Sequence, residues 1–182
     1  KTRSFEKIIT LIDHDQDMVT LAELDSNWLS LAPSATSNVE TFYSNTGGFN
    51  QKTVYGPNNT LFVADITNQK IVELSADGMA KDFKTSISVQ SIAMGADGLY
   101  VIKTSGELSK INLSSGNESI LLCGVNSLLT NPYDIAVHND TVYVSTMNNV
   151  VRLSPNDDGD YTQTIIYTVD NAGLRGMAVD TS

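Results

Sequence analysis

Short apolar runs recur along this chain at a spacing close to forty residues. Each begins at an apolar anchor: Ile12, Val54, Ile92 and Ile135, with a further start at Met177. Seven residues after the four complete anchors stand Val19, Leu61, Leu99 and Val142, and nine after stand Leu21, Val63, Val101 and Val144. Between these apolar pairs lie Thr20, Phe62, Tyr100 and Tyr143. The runs "NTLFVADI", "DGLYVIK" and "DTVYVST" are rich in β-branched and aromatic residues and are entered through Asn, Asp and Gly. That composition predicts strands joined by tight turns. A third strand is predicted where apolar residues sit two apart, at Leu29/Leu31, Val72/Leu74, Ile111/Leu113 and Val151/Leu153, because a spacing of two puts both on one sheet face. A looser fourth strand fits "ETFYS", "KDFKTS", "SILLCG" and "TQTIIYTV".

Four antiparallel strands in each period of about forty residues make the blade of a β-propeller, whose apolar faces stack on neighbouring blades. The expected fold is therefore all-β. It comprises four blades over 12–53, 54–91, 92–134 and 135–176, an N-terminal strand over 1–11, and the first strand of a truncated fifth repeat over 177–182. The N-terminal run "SFEKIITL" reads as the outer strand of an incomplete blade, and "GMAVDTS" as an innermost strand. Four periods and a fragment predict a segment of a larger ring, or an arc completed by another chain. A compact four-bladed ring closed by its own termini is the alternative. The chain starts at Lys1 without an initiator Met or a signal-peptide pattern, which suggests a processed protein or an excised piece.

Two stretches, "NNTLFVADITNQKIVELSADG" (58–78) and "NPYDIAVHNDTVYVSTMNNVVRLS" (131–154), carry a resemblance to NHL-type repeats and to the wider group of six-bladed lactonase-like and lyase-like propellers. The NHL repeat reads as a Pro-x-Gly-Ile-Ala-Val strand, a Tyr-Val-Ala-Asp strand, then an Asn-containing turn. Asp134 stands where that repeat has glycine, and His138 where it has aspartate. The resemblance covers 12–180 as blade grammar. It implies a fold that hosts enzymes, binding modules and scaffolds alike.

Charge narrows the partners. Eleven Lys and Arg against 21 Asp and Glu give a formal charge of −10, which repels phosphate backbones and anionic headgroups and argues against nucleic acid or membrane surfaces. No apolar stretch approaches the length of a membrane span, so no membrane insertion is expected. The single cysteine, Cys123, lies in the apolar run "SILLCGVNSLL" and is expected as a small buried hydrophobe.

The sharpest local motif is "DHDQD", with Asp13, Asp15 and Asp17 on alternating positions of a turn, the pattern by which carboxylates converge on Ca²⁺. Met18 stands where a calcium loop needs glycine, and Leu24 where it needs a bidentate Glu, so calcium binding and a solvated acidic hairpin both remain open. Four Asn-x-Ser/Thr sequons occur, at Asn58, Asn112, Asn117 and Asn139. Asn58 and Asn139 are expected in hairpins joining first and second strands, and Asn117 in one joining third and fourth. Asn112 is expected within a strand. The three hairpin asparagines are then candidates for glycosylation or simply good turn residues.

Catalytic patterns such as Gly-x-Ser-x-Gly or His-Glu-x-x-His do not occur. His138, beside a turn, is expected to be turn-bonded, and Trp28 to pack between blades. Loops at the end opposite the sequons offer Asp65, Asn68, Glu107, Asn131, Asp134, Asn148, Asn149, Asn171 and Arg175 as polar candidates. A lactonase-like site would need a Glu, an Asn and an Asp converging on the central channel. The preferred expectation is a non-enzymatic extracellular or surface module that binds a protein or glycan partner, or copies of itself. The alternatives are a metal-dependent propeller hydrolase or lyase and an intracellular NHL-type scaffold.

Overall fold

The computed structural model of the protein describes residues 50–124, 127–170 and 173–179. The chain divides into two units, Lys1–Glu40 and Thr41–Ser182, and all described residues belong to the second. The expected N-terminal strand, all but the last four residues of the expected 12–53 blade, the "DHDQD" carboxylates Asp13, Asp15 and Asp17, and Trp28 lie outside the described residues.

Among the described residues, twelve strands form three four-stranded antiparallel sheets, each a simple meander. The first contains β1 (Asn50–Tyr55), β2 (Leu61–Asp65), β3 (Lys70–Leu74) and β4 (Ala80–Lys84). The second contains β5 (Val89–Met94), β6 (Leu99–Lys103), β7 (Leu108–Ile111) and β8 (Glu118–Leu122). The third contains β9 (Pro132–His138), β10 (Thr141–Thr146), β11 (Asn149–Pro155) and β12 (Tyr161–Thr168). The chain is all-β, with blade-like sheets at the predicted period.

Packing explains why the second strands are apolar on both faces. Phe62, Ala64 and Ile71 from the first sheet pack against Ile92, Leu99, Val101 and Ile111 from the second. The opposite face of the second sheet presents Tyr100, Ile102 and Leu108 to Ile135, Val142, Val144, Val151 and Leu153 of the third. Leu99, Val101, Val142 and Val144, seven and nine after their anchors, therefore face the preceding sheet, and the aromatics Phe62 and Tyr100 face the following one. A sheet covered on both sides needs no polar face, so its central strands lose the usual apolar–polar alternation. The outermost strands are less enclosed, and β4 accordingly reads Ala-Lys-Asp-Phe-Lys.

Strand pairing adds a register that the periodic alignment places one residue away. Val101 pairs with Ile92 and Val144 with Ile135, but Val63 pairs with Thr53 rather than Val54. The β1–β2 connection is one residue longer, and the short 3₁₀ turn Pro57–Asn59 takes up the excess. Lys52, Ser91 and Asp134 consequently occupy one equivalent position on the three innermost strands.

Bulges repeat as well. The register shifts just before Lys52, Ser91 and Asp134, and again in each fourth strand, at Phe83, Leu121 and Ile166. Phe83 and Leu121 pack into the interface with the following sheet. Ile166, at the equivalent place on the third sheet, is 48% exposed. Cys123 corrects an expectation: it follows the outermost strand β8 and is exposed, because an apolar run at the sheet's outer edge has no neighbour to bury its end.

Candidate functional site at the inner edge of the sheets

Bulges re-aim side chains, and here they bring the three equivalent positions together. Asp134 is 5% exposed, and a carboxylate so enclosed must be matched by donors. Its Oδ1 accepts hydrogen bonds from Lys52 Nζ at 2.8 Å, from Ser91 Oγ at 2.8 Å and from its neighbouring Ile135 N–H at 2.9 Å. Its Oδ2 accepts from Lys52 Nζ at 3.0 Å and from the Met177 N–H at 2.8 Å. One carboxylate thereby ties β1, β5 and β9 to the segment at Met177. The lysine side chain keeps 24% of its surface exposed, so the pair is shielded from solvent without being sealed. Residues 173–179 form no strand; they reach the sheets through this contact, through the Gly173 N–H, which donates to the Met147 carbonyl at 3.0 Å, and through Arg175, whose guanidinium lies 5.3 Å from the Tyr133 ring centre.

An ionised carboxylate offers about four lone-pair directions, and five donor contacts fill them. Asp134 is therefore arranged as a structural acceptor. Its acceptor directions are taken up by groups of the chain itself.

The other candidates at this end close turns. Asp65 is fully buried and accepts from Asn68 N–H at 3.1 Å and Asn68 Nδ2 at 2.8 Å across the β2–β3 turn. In the β10–β11 turn Thr146 Oγ1 accepts from the Asn149 N–H at 3.0 Å and donates to the Asn149 carbonyl at 3.1 Å. Glu107 pairs with Lys103 across the β6–β7 turn, and Lys103 also reaches Glu118 at 2.8 Å. Burial opposes the charge on Lys103 and on Glu118. The hydrogen bonds between them prevail, raising Lys103 above the usual lysine range and holding Glu118 below the usual glutamate range. Asn131 and Asn148 are exposed on their turns, and Asn171 lies outside the described residues. The structure thus spreads the described loop candidates over the β2–β3, β6–β7 and β10–β11 turns, the β8–β9 connection and the segment after β12, and brings only Asp134 to the shared inner edge.

At the other end, Asn58 and Asn139 lie in the β1–β2 and β9–β10 hairpins and Asn117 in the β7–β8 connection, all exposed. His138 Nε2 lies 2.9 Å from Asn139 Nδ2, so it is turn-bonded. Asn112 corrects the expectation of a strand position. Strand β7 stops at Ile111, because Asn112 Oδ1 accepts from Ser114 N–H, Ser115 N–H and Ser115 Oγ and starts a turn.

Sequence reasoning singled out Asp134 as a departure from the repeat but missed Lys52 and Ser91. The signal that finds them is pairing register, which a one-residue insertion hides from a fixed period. Surface grooves lie elsewhere, on outer strands: one beside Glu73, Met79 and Lys81, another beside Ile120, Cys123 and Tyr161. Among the described residues no group of three or more His, Cys, Asp or Glu is placed to hold a metal ion. No helix among them is long and apolar enough to cross a membrane.

No family model and no curated protein matches the sequence. Solved structures do match. A catalytically inactive virginiamycin B lyase from Staphylococcus aureus, solved with quinupristin, is 18% identical, covers 73% of this chain and 46% of its own, and superposes with a TM-score of 0.58. A structure of the nidogen/laminin complex is 16% identical over 74% of this chain and 54% of that one, with a TM-score of 0.60. A gluconolactonase from Xanthomonas campestris is 13% identical over 69% and 51%, with a TM-score of 0.51. This chain spans about half the length of the proteins it matches. At such identities the likeness shows the fold: these sheets are β-propeller blades, similar to those of lactonase-like and NHL-type propellers.

Proposed function

We propose that this chain is a non-enzymatic binding or assembly module, outside the cell or at its surface, that presents propeller loops to a protein or glycan partner. The observation that carries the reading is the saturated Asp134. The acidic group best placed at the inner edge to act as a base or metal ligand is committed to Lys52, Ser91, Ile135 and Met177. Its role is to hold blades in register. A second feature favours assembly. Among the described residues no sheet stacks on the third sheet's outward face, with Tyr143 and Ile166, which is equivalent to faces that the next sheet covers in the first two sheets, so a stacking partner, including a copy of this chain, fits there.

The competing reading is a metal-dependent hydrolase or lyase, favoured by the lyase and gluconolactonase among the similar structures. Metal content and turnover separate the two. The purified chain is expected to carry substoichiometric divalent metal and to leave simple lactones intact. One bound divalent ion per chain, together with lactone opening that a chelator abolishes, overturns the binding-module reading.

A further inference from the structure

Asparagine serves turns at both ends of these sheets, yet the sequons occupy one end only. Asn68, Asn131, Asn148 and Asn149 lie in the β2–β3, β8–β9 and β10–β11 connections, and none is followed by x-Ser/Thr. All four sequons, at Asn58, Asn112, Asn117 and Asn139, fall in β1–β2, β7–β8 or β9–β10 connections, at the opposite end. A turn preference alone has no reason to make that division, because it selects asparagine without regard to the residue two places on.

Local geometry then sorts the four. Asn58 and Asn139 adopt left-handed backbone, with φ of 57° and 46°, at hairpin corners where they are exposed; the Asn139 Nδ2, which would carry the glycan, makes a single contact among the described residues, to His138 Nε2 at 2.9 Å. Asn117 is exposed at the close of the β7–β8 turn, immediately before β8. Asn112 differs: its carboxamide oxygen holds three donors of its own turn at 3.0–3.2 Å, so the side chain is folded back over the backbone.

We infer that Asn58, Asn117 and Asn139 are N-glycan acceptors, that Asn112 is not, and that the chain has a glycan-bearing end opposite the end holding Asp134. The inference rests on the extracellular part of the proposed function but not on the absence of catalysis. Bulky, hydrated glycans at the hairpin corners would keep that end from packing against proteins and leave the Asp134 end and the sheet faces for partners.

The test is intact-mass measurement of the chain secreted from eukaryotic cells, before and after treatment with an amidase that releases N-glycans. The expected result is a mass loss equal to three glycans. Asn58→Gln, Asn117→Gln and Asn139→Gln each remove one, and Asn112→Gln removes none. An unchanged mass after treatment, or a glycan found on Asn112 while a hairpin site stays empty, overturns the inference. Peptide mapping of deamidated sites in the unsubstituted chain gives the same answer if a variant fails to fold. Metal content and lactone turnover do not enter this readout, so it fails independently of the binding-module reading.

Discussion

Neutralising Asp134 leaves the Lys52 ammonium half-enclosed with no opposite charge, and Ser91 and the Met177 N–H with a weaker acceptor. Breaking one side of a buried pair costs about 3–5 kcal/mol, less where solvent still reaches the ion. With Lys52 partly exposed, Asp134→Asn is expected to destabilise the fold by about 2 kcal/mol, read as a lower midpoint in urea. Pairing it with Lys52→Met in a double-mutant cycle isolates the charge pair. A coupling energy indistinguishable from zero contradicts the clasp. A second residue-scale expectation concerns acid. Glu118 titrates below its ordinary 4.5, so its ionised form is favoured by folding. That contribution is fully present above pH 4.5 and is lost as the pH falls through the lowered folded value. Glu118→Gln should therefore be less stable at neutral pH and show a shallower loss between neutrality and pH 3, measured by chemical denaturation at each pH.

At the scale of single elements, glycine and strand edges make separable predictions. Gly106, in the β6–β7 turn, has φ of +81°, and a Cβ there would sit 2.4 Å from the Leu129 carbonyl oxygen. Gly159, before β12, has φ of +85° with nothing within 4 Å. Gly159→Ala meets only backbone strain, about 1–2 kcal/mol. Gly106→Ala adds a clash with backbone and should cost more, about 3 kcal/mol or above. Equal melting shifts for the two would contradict this packing. Strand β12 exposes a different weakness, since its eight residues carry no charge and edges of that kind recruit other strands. Ile166 lies at its bulge, outside the ladder, so Ile166→Lys should reduce concentration-dependent light scattering while leaving the thermal midpoint unchanged. Element existence was legible because the faces between stacked sheets are covered, which keeps β6 apolar on both sides and gives β2 and β10 buried apolar faces that are easy to find. The bulges at Phe83, Leu121 and Ile166 were not, because an inserted residue in an outer strand without regular alternation leaves no compositional trace.

For the molecule as a whole, the period announced blades because stacking repeats the same neighbours every forty residues. It could not reveal the inner-edge cluster. Lys52, Ser91 and Asp134 have unlike chemistry, and Lys52 becomes equivalent to the other two only after pairing. Departure from the repeat did mark Asp134, where a glycine was expected, and that proved the most useful residue-level signal. Cys123 and Asn112 misled for a shared reason: each sits at the end of a strand, and whether a run stops one residue earlier depends on turn bonds that lie outside its own pattern.

The Lys52–Asp134 contact spans 82 residues of chain, whereas each hairpin closes over a handful. Local pairings form early, and contacts between distant segments arrive once the intervening chain is ordered. The clasp therefore belongs to the late part of the folding trajectory, after individual sheets exist and while they dock. Removing it should leave the refolding rate nearly untouched and place most of the lost stability in faster unfolding. Stopped-flow chevrons of wild type and Asp134→Asn would display that as a displaced unfolding limb over a common folding limb. A slowed folding limb would mean that the charges find each other before the blades do.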